Sequence, residues 1–178
     1  NKIKVASIGT LGVKTNNSNS KSFNTTMDPI RLNKVLKNLK EKNINNVIME
    51  ASSHGLKQNR LDGLKFKTGI FTNLSRDHLD YHKTFKDYLK SKLYLFRNLL
   101  EKNANIITDD SIQEYKKIKN IALKSRFNLD TISNKKSNLS LLSIEYQDDK
   151  QLIYIRYKKK TYKILVNLIG KVQLKNIF

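Results

Sequence analysis

The chain has no cysteine and a single proline, and its acidic residues are scarce, 15 Asp and Glu against 35 Lys and Arg. Without cysteine, disulfide staples, thiolate metal sites and thiol nucleophiles are excluded. No apolar stretch approaches the roughly 18 residues that a membrane-spanning helix needs. Asn1 to Thr10 hold no basic-then-apolar-then-small pattern, so no signal peptide is read there. These absences make a soluble, cytoplasmic protein with no membrane partner the expectation. A hydrophobic fraction of 38% over 178 residues is enough for one domain with a core.

The shortage of acid leaves a formal net charge of +20, and a basic face attracts phosphate backbones. Two features argue against nucleic acid as the partner. Only six of the cations are arginines (Arg31, Arg60, Arg76, Arg97, Arg126 and Arg156), and the planar guanidinium is the better group for bidentate recognition. The lysines are spread along the chain, with Lys158 to Lys160 the one run of three. A solvated lysine coat is the simpler reading; a non-catalytic basic domain binding RNA or DNA stays open as the alternative, and the steep salt dependence of phosphate-driven binding separates the two.

The order of elements predicts an α/β fold. Ile3 to Ile8 reads as a buried strand entering a turn at Gly9 to Gly12, followed by a polar loop from Asn16 to Lys21. Asp28 and Pro29 predict a helix start, an N-cap followed by the residue favoured at the first helical position. Leu32, Val35, Leu36 and Leu39 then mark one apolar face. Short strands are predicted at Asn46 to Glu50 and Lys67 to Thr72. Thr84 and Asp87 have the spacing of a capping box, ahead of a long amphipathic helix running through Leu100. Strands at Ala104 to Ile107 and Phe127 to Asp130 flank a helix around Ser111 to Lys124. From Leu139 onward, three alternating segments end the chain in antiparallel strands. The β-α alternation before them predicts a mostly parallel sheet with flanking helices, and a small antiparallel β segment near the C-terminus.

Chemistry is concentrated in one region. All three histidines, His54, His78 and His82, fall within it, with Glu50, Ser52, Ser53, Arg60, Asn73, Arg76, Asp77 and Asp80. Most of these follow predicted strands, where open α/β sheets bind ligands. Singly, each reads as an ordinary loop or capping residue. Together, the string Glu50 to Leu56 with Gln58 and Arg60, and the string Phe71 to His82, resemble the central-domain signature of the Mur ligases. Asn24-Thr25-Thr26 matches that family's Asn-Thr-Thr segment, although Met27 stands where Pro is usual. Tyr88-Leu89-Lys90-Ser91-Lys92 matches the pattern carrying the family's carbamylated lysine. The resemblance covers nearly the whole chain.

That resemblance implies an ATP-dependent amide ligase of peptidoglycan synthesis. The activity implied is addition of a third amino acid, meso-diaminopimelate or L-lysine, to UDP-N-acetylmuramoyl-L-alanyl-D-glutamate through an acyl phosphate. Folylpolyglutamate synthase, which shares the fold and the modified lysine, is the related alternative. ATP and Mg2+ are the implied cofactors, and a monomer is expected. Glu50, His78 and Lys92, the last as its carbamate, are the implied catalytic metal ligands. Asn24, Thr25, Thr26, Ser52, Gln58 and Arg60 are implied to hold the UDP-linked substrate, and Asn73 and Asn176 the nucleotide. Near the far end, Gly170 to Asn176 follows the family's segment near the adenine except at Val172 and Gln173.

The family's phosphate-binding loop, Gly-rich and ending in Gly-Lys-Thr, has no match here. Gly9 to Thr15 looks similar, but Val13 separates glycine from lysine, and the segment aligns with a later strand of the family. The expectation is therefore an incomplete central domain, residues 1–178, truncated at both ends. The UDP-binding N-terminal domain and the amino-acid-binding C-terminal domain are expected to lie elsewhere, and this piece alone is expected to be inactive.

Overall fold

The computed structural model describes residues 3–22, 24–75, 79–133, 137–147, 149–157 and 159–167. It divides into two compact units, Asn1–Lys65 with Arg76–Leu99, and Phe66–Ser75 with Leu100–Phe178.

In the first unit, β1 (Val5–Gly9) turns back through Thr10 and Leu11 into β2 (Gly12–Thr15), and β3 (Asn19–Ser20) pairs on β2. The turn needs glycine at its end: Gly12 has φ +90°, and a Cβ there would meet Ser20 O at 1.9 Å. The segment resembling a phosphate loop is thus a tight antiparallel hairpin, not a loop opening a helix. The expected polar loop after it contains the short strand β3, which its Asn/Ser composition does not announce.

Helix α1 (Pro29–Glu41) starts as predicted, with the Asp28 carboxylate accepting from Arg31 N at 2.9 Å. It buries Leu32 and Leu39 and returns the chain to β4 (Asn46–Met49), parallel to β1. The sheet order is β3-β2-β1-β4. A five-residue helix not anticipated from sequence, α2 (Ser53–Lys57), follows β4, capped by Ser52 Oγ accepting from Gly55 N at 3.1 Å.

The unit closes with α3 (Leu79–His82) and α4 (Phe85–Tyr94). Thr84 Oγ1 caps α4 by accepting from Asp87 N at 3.1 Å. The other half of the expected capping box is diverted, because the Asp87 carboxylate pairs with Lys57 Nζ at 2.6 Å. The predicted long helix is also shorter than expected. After Tyr94 it widens into one π-helical turn, Leu95–Leu99, and Leu100 already begins a strand. Leu89, Leu93, Phe96 and Leu99 are all buried, so the apolar spacing is satisfied without the helix continuing.

In the second unit, β5 (Phe66–Phe71), β6 (Leu100–Asp109), β7 (Asn128–Ser133) and β8 (Leu139–Gln147) pair in parallel. Helix α5 (Tyr115–Ser125) joins β6 to β7 and buries Ile118, Ile121 and Ala122. Strand β6 starts earlier than the sequence suggests. Its register against β5 shifts between Leu100 and Asn105, where Asn103 takes a left-handed backbone conformation at φ 62°. Then β9 (Lys150–Tyr157) and β10 (Lys160–Val166) add antiparallel strands to the same sheet, in the order β10-β9-β8-β7-β6-β5. This is the predicted parallel-then-antiparallel progression. The parallel strands are shared between two sheets rather than one, with further antiparallel pairing at β1 to β3. Among the described residues no helix is long and apolar enough to cross a membrane.

Candidate functional site

Glu50 lies just past the carboxyl end of β4, its backbone N bonded to Ile8 O at 2.8 Å across the parallel β1–β4 pair. Its carboxylate leans over the end of β1, and Gly9 makes the room: a Cβ on Gly9 would stand 2.4 Å from Glu50 Cδ. Thr10 then fixes one oxygen. Glu50 Oε2 accepts from Thr10 N at 3.0 Å and from Thr10 Oγ1 at 2.8 Å. Since the Thr10 hydroxyl donates its one proton to Glu50, its 3.0 Å contact with Thr25 Oγ1 runs from Thr25 to Thr10.

Thr26 knits the neighbouring segments together. Its side chain is buried, and its hydroxyl donates to Glu50 O at 3.0 Å. The same oxygen accepts from Ser52 N at 2.8 Å and Ser52 Oγ at 3.0 Å. One hydroxyl thereby ties the Asn-Thr-Thr segment, the end of β4 and the cap of α2. The approach is close enough to require Gly55, where a Cβ would meet the Thr26 side chain at 2.6 Å. Arg60 adds a second tie, donating from Nη1 to Thr26 O at 2.8 Å and from Nε to Gln58 Oε1 at 2.9 Å. Gln58 Nε2 in turn donates to Tyr81 Oη at 2.9 Å. Asn24 is exposed beside this cluster, its carbonyl accepting from Ser22 Oγ at 2.8 Å.

Lys92 sits half-buried on α4 between the buried Ser91 and Leu93, whereas Lys90 is exposed. The ammonium lies 5.3 Å from the centre of the Tyr88 ring, within cation–π range. Tyr88 stacks on His82 with centroids 4.9 Å apart and planes 24° apart. His82 is fully buried, with Nε2 2.9 Å from Ser53 Oγ. His54 and Tyr81 complete an aromatic cluster, 4.1 Å apart.

The first unit therefore gathers Asn24, Thr25, Thr26, Glu50, Ser52, Gln58, Arg60 and Lys92, all named from sequence. Asn73 follows β5 in the second unit, so Glu50 and Asn73 each lie past a parallel strand, but of different sheets. His78 and Asn176 lie outside the described residues, as do Arg76 and Asp77. Among the described residues, no three His, Cys, Asp or Glu side chains gather to hold a metal ion. Of the implied metal ligands, Glu50 supplies a hard oxygen donor of the type magnesium takes, with Thr10 holding Oε2. Sequence reasoning missed Thr10, Tyr81 and Tyr88 as site residues and gave His82 no role. The aromatic spacing on α4 was visible, but it reads equally well as core.

A family model described as the Mur ligase middle domain matches residues 2–178. The chain is 39% identical over 176 residues to a UDP-N-acetylmuramoyl-L-alanyl-D-glutamate--2,6-diaminopimelate ligase of Chelativorans sp. (strain BNC1), covering 98% of this chain and 36% of the relative. It thus spans little more than a third of that relative's length. A solved structure of a ligase bearing that same enzyme name superposes with a TM-score of 0.86 at 24% identity, over 98% of this chain and 36% of the other. A MurF ligase from Thermotoga maritima in complex with ADP shares the fold more distantly, with a TM-score of 0.52 at 13% identity over 62% of this chain and 25% of that one. With a match along nearly its whole length, and with the family's Asn-Thr-Thr, Glu-Ala-Ser-Ser-His-Gly and Lys92 segments packed into one unit, the chain belongs to the Mur ligase family as a middle domain.

Proposed function

We propose that this chain carries the central part of an ATP-dependent amide ligase that joins 2,6-diaminopimelate to UDP-N-acetylmuramoyl-L-alanyl-D-glutamate. The relative at 39% identity bears the name of that reaction, and the observation that carries the reading is the joining of Glu50, Thr26, Ser52 and Arg60 by direct hydrogen bonds. In this reaction the γ-phosphoryl group of ATP passes to the substrate carboxylate, giving an acyl phosphate and ADP. The incoming amine attacks the acyl carbon, phosphate leaves with the bonding electrons, and the amine loses a proton as the amide forms. ATP and a UDP-linked substrate place the work in the cytoplasm.

Each residue has a part consistent with its setting. Asn24, Thr25, Ser52, Gln58 and Arg60 hold the muramyl-dipeptide arm; Arg60 spends two N–H groups internally and keeps the rest of its fork for a carboxylate. Thr26 acts through Ser52 and Glu50, because its hydroxyl is committed to both. Asn73 and Asn176 are nucleotide contacts. Glu50, His78 and the Lys92 carbamate would hold magnesium, which when bound neutralises charge on the reacting phosphates. The carbamate forms when the neutral Lys92 amine attacks the carbon of CO2 and releases one proton, with no redox change. Desolvation favours that neutral amine, and Lys92 is flanked by buried Leu89, Leu93 and Phe96.

The test uses the full-length enzyme. Lys92→Ala should abolish most ligation, with partial rescue by formate, because a small carboxylate replaces the lost oxygens. Lys90→Ala, exposed on another face of α4, should keep wild-type activity. Full activity of Lys92→Ala would sink the carbamate, and a dead Lys90→Ala with an active Lys92→Ala would move the modified lysine.

A further inference from the structure

The fully buried His82 belongs to none of the roles above, yet it touches both sides of the site. Its imidazole reaches Ser53 Oγ at 2.9 Å through Nε2, and Ser53 is the first residue of α2, directly after the Ser52 cap. Its ring face stacks on Tyr88 at 4.9 Å and 24°, and the Tyr88 ring lies 5.3 Å from Lys92 Nζ, one helical turn on. Its edge meets Tyr81 at 5.0 Å and 89°, and Tyr81 Oη accepts from Gln58 Nε2 at 2.9 Å. A histidine in this place is costly to bury for structure alone, since the imidazole carries two polar nitrogens where phenylalanine would carry none.

We propose that His82 is a positioning residue that sets the α2 cap, which faces substrate through Ser52, against the α4 face that presents Lys92. The two links are chemically distinct. The polar one, Nε2 to Ser53, fixes where α2 begins, and with it the Ser52 hydroxyl and the Thr26 oxygen bonded to it. The apolar one, the stack on Tyr88, fixes the ring near whose face the Lys92 amine lies. Neither link needs His82 to touch substrate or to change protonation. The inference rests on the reading of Lys92 as the carbamylated residue and of Ser52 as a substrate contact.

Because the links differ, two substitutions separate them in the full-length enzyme. His82→Phe keeps a ring to stack on Tyr88 and removes the bond to Ser53. It should raise the KM for the UDP-linked substrate about threefold to tenfold, the effect of one neutral hydrogen bond, and leave the Lys92 carbamate in place. His82→Gln places an amide nitrogen where Nε2 stood, able to reach Ser53, and removes the stack. It should lower carbamate occupancy by a similar factor, as loss of an aromatic pair does, and lower kcat with it. Occupancy is read directly, without turnover, from the carbamate carbon resonance of protein equilibrated with 13C-bicarbonate, and the thermal midpoint of each variant shows that it is folded. If either variant is unfolded, Tyr88→Leu, which removes the stack from the other side, should reproduce the drop in occupancy; undiminished occupancy there overturns the proposal. Equal changes in KM and occupancy in both His82 variants, or none in either, also overturn it. A wild-type enzyme with no carbamate resonance would instead remove the Lys92 reading on which it stands.

Discussion

Thr26→Val should be among the most damaging conservative substitutions in the first unit. Valine matches threonine in shape, so packing against Gly55 survives and only the hydroxyl is lost. That hydroxyl serves three partners, Glu50 O, Ser52 N and Ser52 Oγ, at 2.8 to 3.0 Å. The Ser52 hydroxyl is half-buried and can turn to water, whereas the Glu50 carbonyl and the Ser52 N–H face the buried valine methyl. At about 1–3 kcal/mol for each buried polar group left unsatisfied, two such groups give a loss of about 2–4 kcal/mol after partial resolvation. Thr26→Ser is the matched control. It keeps all three bonds and loses one buried methyl, which costs about 1 kcal/mol. Urea unfolding followed by circular dichroism gives both values from the shift in midpoint at constant slope. Hydrogen exchange across residues 50–55 should accelerate in the valine variant alone. A serine variant as unstable as the valine variant, or a valine variant within about 0.5 kcal/mol of wild type, would refute the hydrogen-bond account.

Gly9→Ala should displace the Glu50 carboxylate, because the new methyl would overlap it at 2.4 Å. In the full-length enzyme the concentration of magnesium needed for half-maximal activity should rise about tenfold, the scale of a lost hydrogen bond to a charged group, with an unchanged circular dichroism spectrum; an unchanged magnesium requirement would contradict it. The Asp87 carboxyl is held below its ordinary value of 3.8 chiefly by its hydrogen bond from Lys57. A depressed folded-state value stabilises the fold above the unfolded value and stops doing so as pH falls through the folded one. Lys57→Met should therefore lower the unfolding midpoint slightly at neutral pH and not at all in strong acid; a difference that grows on acidification would reverse the assignment.

Local chemistry made much of this protein legible in its sequence. Asp28 and Pro29 start α1, Thr84 caps α4, and the alternation after Leu139 yields β8 to β10, because each signal acts over a few residues and needs no distant partner. The same holds for the site strings, whose side chains are close in sequence before they are close in space. The elements that escaped notice lacked such signals. Strand β3 is an Asn-Ser pair bonded to β2, α2 is too short for apolar periodicity, and Leu95 to Leu100 keep helical spacing through a π-turn into a strand. Tertiary structure alone decided which distant groups meet. Parallel pairing of β1 with β4 brings Thr10 to Glu50, 40 residues on. The packing of both α2 and α3 on α4 brings Ser53 to His82, the last residue of α3, 29 residues on. Nothing local encodes those meetings, since a hydroxyl or an imidazole is satisfied by any partner until strand order and helix packing leave it just one.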